Sequence, residues 1–438
     1  MTIKIFQSGK GDCMLFSNGT TNILVDGGVS PAYNMHVAKE LNKLRKSNTS
    51  LDLACVSHID DDHIGGFLKM IEDEVDWRVY DYQQAQNNNR VKAPKSPRPP
   101  AIKEIWHNAF HEIVKDNKGA IESMLTASAN ILMASSNKTI QELGEITFSK
   151  AQAIQLSRRL KPEQLKIPQN AKAGGKFVMY RKGARPIKYG SFKITVLAPF
   201  SSDLTELRTE WNEWLEKSKR QLKGIKEKVD RDADALANAT FPNIQYYEAL
   251  AEELTPLILS QLATAKKMGV RTQVTAPNLA SIMFLLEENG KTVLMTGDGH
   301  ADDIIKGLEN TGKLKKNKGL HVDVLKIQHH GANANMTLDF CNRITADYYV
   351  FCGNGEHSNP EKQVVQAIID SRTTQPAITK EAKNKFTLIF NSSTAATIAK
   401  NKKHMTMLEK LVAGSAAKHK NVKFKFMPVE SSYISLTV

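Results

Sequence analysis

Four residues able to hold a divalent metal, His58, Asp60, Asp62 and His63, crowd into six positions of the chain. The run reads Ser57-His58-Ile59-Asp60-Asp61-Asp62-His63 and leads directly into Ile64-Gly65-Gly66. It follows an apolar, strand-like stretch from Leu51 to Val56. In an extended segment alternate side chains point the same way. A helix opening at Ile64 folds Asp62 and His63 back toward the same point, so one short segment can serve two ions. A solvated loop would need no partners elsewhere, yet this chain has them. Asp26, His107, Asp298, the pair His329-His330 and His357 each stand where an apolar run ends. Strand ends gathered along one edge are where active sites are assembled. Two metals sharing a carboxylate lower the pKa of a bridging water and clamp the attacking and leaving oxygens of a displacement.

The elements that must carry these residues alternate along the chain. Ile3 to Phe6 reads as a strand, Gly9-Lys10-Gly11-Asp12 as a turn, and Cys13 to Phe16 as a second strand. Asn18-Gly19 is a hairpin signal, and Asn22 to Val25 is a strand ending at Asp26-Gly27-Gly28. His36 to Arg45 has helical spacing, and residues 64–75 read as a helix after the metal-binding run. A polar, Pro-rich and basic stretch, Gln83 to Pro100, is expected to be an exposed loop reaching toward a substrate, with Arg90, Lys95 and Arg98 as its contacts. Ile102 to Trp106 is expected to be a strand that delivers His107 and Asn108.

Residues 110–270 read as a largely helical insertion, broken by strands within 176–198. Leu204, Leu207, Trp211 and Trp214 recur there at helical spacing, as a packing face. The insertion could be a lid, a dimer surface or a substrate grip. Strands return at Met283 to Leu286, Thr292 to Met295, Val322 to Ile327 and Tyr348 to Cys352. Residues 371–438 form a basic C-terminal extension, expected to complete the sheet with the alternating strand Val422 to Phe426.

Composition narrows the class. The chain has 438 residues, 41% of them hydrophobic, which is enough for a large core. Its four cysteines are scattered without a CxxC pair, which argues against a disulfide framework or a zinc knuckle. Cys13, Cys55 and Cys352 lie in apolar runs and read as small core residues. The opening residues lack a signal-peptide pattern and no apolar window is long enough to span a bilayer, so the expected setting is cytoplasmic, with no membrane partner. A net charge of +14 favours polyanionic partners such as DNA or RNA.

Taken together, these pieces resemble the metallo-β-lactamase fold hydrolases. Within them the chain is most similar to the metal-hydrolase domain attached to ComEC-type DNA-uptake channels and to its free-standing relatives. The matching segments are Gly9 to Asp12, Val25 to Gly28, Ser57 to Gly66, Asn278 with Ser281, Leu294 to Asp298, Leu325 to Gly331, and His357 to Pro360. The resemblance implies an α/β fold, a single-domain, four-layer αββα sandwich over residues 1–438 with the helical insertion inside it. It implies two divalent ions, Zn2+ or Mn2+, with Mg2+ or Fe2+ as alternatives. The first would take His58, Asp60 and His107. The second would take Asp62, His63 and one of His329 or His330. Asp298 would bridge them, and Asp26 would orient the motif loop. His107 could equally be a capping or packing residue, and which of His329 and His330 binds stays open. Asp60 stands where the family more commonly has histidine, which adds a hard oxygen ligand and tilts the site toward manganese, iron or magnesium.

The expected chemistry is hydrolysis, with Asp62, His330 and His357 as the catalytic set and a metal-bridging hydroxide as nucleophile. His357 is read as an oxyanion or phosphate contact, or else a helix cap. His36, His111, His300, His321, His404 and His419 are read as surface or incidental. The basic chain, Asp60 and the basic loop favour a nuclease or phosphodiesterase, set by resemblance among effectors of bacterial anti-phage defence, with partner proteins or a homo-oligomer compatible. The alternatives are a small-molecule hydrolase, such as a phosphorylcholine-type esterase or lactonase, and a non-catalytic scaffold protein.

Overall fold

The computed structural model describes residues 1–88, 90–108, 138–209, 268–374 and 378–438, with residues 125, 129, 133, 212, 213 and 227 described singly. Among the described residues, fourteen strands form two sheets. The first has the order β14-β1-β2-β3-β4-β5, with β1 (Thr2–Phe6), β2 (Met14–Ser17), β3 (Asn22–Val25), β4 (Leu53–Cys55), β5 (Ile105–Trp106) and β14 (Tyr433–Thr437). The second has the order β13-β12-β11-β10-β9-β8-β7-β6. Its strands are β6 (Ile187–Tyr189), β7 (Phe192–Ala198), β8 (Met283–Glu288), β9 (Lys291–Met295), β10 (Leu320–Lys326), β11 (Ile344–Phe351), β12 (Phe386–Phe390) and β13 (Val422–Phe426).

Local chemistry sets the hairpins. Asn18 Oδ1 accepts from the backbone N–H of Thr20 and Thr21 at 3.1 and 2.8 Å, closing the turn between β2 and β3. Asn289 and Gly290, between β8 and β9, both have positive φ, 50° and 79°, as a tight two-residue hairpin requires.

Three apolar clusters follow from the two-residue alternation of the strands. On β9, Val293 and Met295 join a cluster with Ile5, Phe16, Val25 and Trp106 of the other sheet. Leu294, between them, points to the opposite side, into a cluster with helices α4 (Ala301–Asn310), α5 (Leu338–Arg343), α6 (Lys362–Thr373) and α7 (Lys402–Lys418). The far side of the first sheet packs on α1 (Ala38–Lys46), α2 (Asp61–Ala85) and α3 (Lys138–Arg159) through Leu24, Val56, Leu41, Phe67 and Leu156. All four cysteines are buried and free, as their apolar surroundings in the sequence imply. No described helix is long and apolar enough to cross a membrane.

Several elements depart from the sequence reading. The helix after the metal-binding run begins at Asp61 and continues to Ala85. Its second half is polar enough to look like loop, but solvated helix is held by pairs such as Arg78 Nε to Glu74 at 2.9 Å, four residues apart. The strand expected over Ile102 to Trp106 shrinks to Ile105–Trp106, with Ile102 touching Leu51 through an isolated bridge. Strands β12 and β14 and helix α7 are additional. The expected strand at Val422 to Phe426 is present as β13, beside β12 at the edge of the second sheet. Residues 201–209 are helical and Leu207 is buried, whereas His111, Trp211, Trp214 and residues 228–267 lie outside the described residues.

Candidate metal centre

The loops that leave β1, β3, β4, β9 and β10 meet at one point because their backbones approach without side chains between them. Gly27 N donates to His63 O at 2.9 Å, and Gly66 N donates to Gly28 O at 2.7 Å. A methyl group on Gly66 would lie 2.1 Å from Gly27 O, so only glycine permits the start of α2 to sit on the turn after β3. At Gly11 a methyl group would lie 1.7 Å from Asp62 O, which locks the Gly9-Lys10-Gly11-Asp12 turn against the same helix start. Three motifs far apart in the chain thus share one small volume.

Asp26 anchors the metal-binding run. Its carboxylate accepts from Ser57 N at 2.7 Å and Ser57 Oγ at 2.8 Å, and contacts His63 Nδ1 at 2.9 Å. That leaves His63 Nε2 facing inward, 3.3 Å from Asp298 Oδ1 and 3.4 Å from His330 Nε2. His330 Nε2 in turn lies 3.0 Å from Asp62 Oδ2 and 3.2 Å from Asp298 Oδ2. Burial disfavours a charged ring at His63 and His330. Asp298 and the neighbouring carboxylates outweigh it and hold both rings well above the ordinary histidine range. Burial likewise opposes charge on Asp62 and Asp298, and the surrounding cations keep both well below the ordinary carboxylate range. Ring nitrogens and carboxylate oxygens that face one another at 3.0–3.4 Å make a set that one cation would satisfy in place of protons.

A second grouping lies alongside. His58 Nε2 is buried with no hydrogen-bond partner. It faces Asp60 Oδ2 at 3.6 Å and Asp298 Oδ2 at 3.8 Å. Asp60 occupies the N-cap position of α2, where aspartate ordinarily accepts from the first turn, yet its side chain makes no capping hydrogen bond. Ser149 Oγ of α3 takes the exposed N–H of Asp61 instead, at 2.9 Å, and Gln152 Nε2 donates to Asp61 Oδ1 at 2.9 Å. The Asp60 carboxylate is therefore left to His58. The donor set of imidazole nitrogen and carboxylate oxygen fits a divalent cation of borderline or hard character.

Of the residues singled out in the sequence, His58, Asp60, Asp62, His63, Asp298 and His330 come together, with Asp26 behind them. His329 stands to one side. Its ring contacts Asn335 Oδ1 at 2.7 Å and Asn278 Nδ2 at 3.4 Å, and lies 3.7 Å from Asp298. His107 is buried at the end of β5, its backbone clamped by Asn170, whose Oδ1 accepts from His107 N at 3.0 Å. His357 is exposed in a turn with φ 52°, on the loop whose Gly353 backs onto His330.

The basic loop is not brought to the site. Trp77 Nε1 donates to Ser96 O at 3.0 Å, and Arg98 pairs with Asp81 at 2.7 Å, so the loop lies along the later turns of α2. At about 1.5 Å per residue, Trp77 stands about 20 Å along the helix from Asp62. Arg90 and Lys95 are exposed on that loop. Among the histidines read as incidental, His300 is fully buried and its Nδ1 accepts from Asp302 N at the start of α4, at 3.2 Å.

Two residues at the centre carry roles that the sequence reading does not assign. Asp12, inside the Gly9 to Asp12 turn, is buried and lies 3.1 Å from His330 Nδ1. Lys326, the last residue of β10, is fully buried; it ion-pairs with Asp12, donates to Gly297 O at 3.0 Å and lies 3.5 Å from Asp298 Oδ1. A lysine closing an otherwise apolar strand was the available signal, because a buried ammonium must have a partner. Asp12, His63, Asp298 and His330 place one ligand atom each within 4.8 Å of one another.

The family model of the metallo-beta-lactamase superfamily matches residues 8–74 of this chain. That span contains Asp12, Asp26 and the whole run from His58 to His63, and the match supports a metallo-β-lactamase fold. No curated protein matches the chain. The match and the buried group of acids and imidazoles point to a metal-dependent hydrolase.

Proposed function

We propose that this chain is a metal-dependent phosphodiesterase acting on DNA or RNA, built on a four-layer αββα sandwich. The observation that carries the reading is the convergence of His63, His330, Asp62 and Asp298 on one point, with His58 between Asp298 and Asp60 beside it. In this reading His58 and Asp60, with His107 as the residue leaving the adjoining strand, would hold one divalent ion, Asp62, His63 and His330 would hold the other, and Asp298 would serve both. Bound there, the ions would supply Lewis-acid polarisation of the scissile group and an activated water.

The remaining steps belong to the chain. Asp26 fixes the tautomer and angle of His63 through Nδ1, and Asp12 stands in the same relation to His330. Asn335 Nδ2 donates to Asp298 O at 2.8 Å and holds the loop after β9 in place. His357, exposed on the loop whose Gly353 backs onto His330, would deliver a proton to the leaving oxygen. A cleft of about 550 Å3 opens at His357 and is lined also by Lys400, Lys403 and His404. Lys400 is paired there with Glu356 at 2.7 Å, so Lys403, together with the net charge of +14, is what suits a phosphate backbone. From its resemblance to free-standing relatives of the DNA-uptake hydrolases, we read such an activity as that of a cytoplasmic antiviral effector.

A small-molecule esterase is the second reading, favoured by the same cleft, whose volume lies in the range of small-ligand sites. Digestion of labelled single- and double-stranded DNA and RNA with Mn2+, Mg2+ or Zn2+, beside Asp62→Ala, tests the first. Cleavage that needs both metal and Asp62 supports it. Absence of cleavage with every metal, alongside turnover of a phosphate monoester or lactone, replaces it with the second.

A further inference from the structure

Asp12 has an unusual position for a carboxylate that is not a metal ligand in the assignment above. It is fully buried, and its two oxygens are taken by an imidazole and an ammonium. One oxygen faces His330 Nδ1 at 3.1 Å. The other faces His63 Nδ1 at 3.8 Å and is held by the Lys326 ammonium. By distance alone it belongs with His63, Asp298 and His330 as a fourth potential ligand. It stands on the Nδ1 side of both rings, opposite the Nε2 atoms that face inward, and it is held there by Lys326, whose stem comes up through the end of β10 with no exposure to solvent and whose head also lies beside Asp298. A buried ammonium next to a candidate metal centre is expensive to maintain unless it neutralises something there.

We propose that Lys326 determines which metals the centre accepts, by occupying Asp12 and keeping that carboxylate out of the coordination sphere. This rests on the metal-binding reading given above. With Lys326 in place the inner ligands are balanced between imidazole and carboxylate, and Asp12 serves only as a partner of His330. Without the ammonium, Asp12 would be an unneutralised buried anion within 4.8 Å of ligand atoms of His63, Asp298 and His330, and would turn in to join them. A third carboxylate at that ion favours hard, oxygen-preferring cations such as Mn2+ and Mg2+ over Zn2+.

The test compares the full-length protein with Lys326→Gln and Lys326→Arg, measuring dissociation constants for Mn2+ and Zn2+ by titration calorimetry and melting temperature with and without each ion. For Lys326→Gln the expected result is a Mn2+ affinity raised tenfold or more, a Zn2+ affinity raised less, and a larger metal-induced rise in melting temperature than in the wild type. Lys326→Arg, which keeps the cation, is expected to retain the wild-type ratio of Mn2+ to Zn2+ affinity. Should Lys326→Gln fold only when Mn2+ is added, that also supports the proposal, because the ion then takes over the lost charge. Unchanged or weaker Mn2+ binding in Lys326→Gln overturns it. So does an equal tightening for both ions, which would reflect charge alone, or a protein that stays unfolded at saturating Mn2+. Failure of the wild type to bind any divalent ion would instead remove the metal-binding reading, and this proposal with it.

Discussion

Two regions of this molecule are rich in charge, and burial separates what they can do. Around the start of α2, Asp12, Asp26, His58, His63, Asp298, Lys326 and His330 are all withdrawn from solvent. At the other end of the same helix, Glu74, Asp81, Arg90, Lys95 and Arg98 make up a basic and acidic surface that water can reach. In the sequence the second region looks as functional as the first, because a run of basic residues beside prolines suggests a polyanion contact. In the fold its best-placed cation, Arg98, is spent on Asp81 and on the face of Trp77, 5.6 Å from the ring centroid. Exposed pairs of this kind are worth little and perturb little. Buried ones fix protonation states and orient rings, and from such sites chemistry is built.

This contrast can be broken at either end. The largest effect is expected from Asp62→Ala, which removes a carboxylate in contact with His330. Hydrolysis should fall to the level seen after metal removal with a chelator, a loss on the order of a hundredfold or more, read from initial rates with each metal. Asp26→Asn keeps the shape of the anchor but weakens its hold on His63. About a 10–100-fold loss of metal affinity is expected, measured by titration of the metal-free protein. Ser149→Ala should cost about 1 kcal/mol in urea unfolding, the usual worth of a helix cap, while leaving the ligands themselves in place. At the surface end, Arg98→Ala should cost no more than about 1 kcal/mol of stability and leave turnover of a nucleic acid within about twofold of wild type. Arg90→Ala with Lys95→Ala should do less still. A large loss of cleavage in either surface variant, with metal affinity intact, would mean that the loop reaches a bound polymer after all and that burial is the wrong criterion here.

Much of the site was legible because its ligands sit at the ends of apolar runs, a local pattern. Asp26, Asp298 and the His58 to His63 run could each be found without knowing what they meet. The choice between His329 and His330 could not, since it depends on two successive residues with positive φ, 46° and 55°, that turn the two rings in different directions. Asp12 and Lys326 were hidden for a related reason. Each looks like an ordinary turn aspartate or strand lysine until the fold brings residues 12, 298 and 326 together. The same holds for the sheets. Strand β14 pairs with β1 across the whole chain, Thr2 beside Thr437, and no local periodicity announces a partner that distant. The insertion defeated the reading differently: helical spacing names a face but not what it packs on.

The cap on α2 has a consequence for how the molecule is made. Asp60 leaves its helix uncapped, and the groups that finish the job, Ser149 and Gln152, follow it by about ninety residues. During synthesis the metal-binding run leaves the ribosome well before those groups exist, and closing so long a loop comes after local helix formation. Until α3 docks, the nascent chain carries the ligands without the geometry. An ion met at that stage would be held loosely and exchanged freely, and commitment to a metal would be a late event of folding.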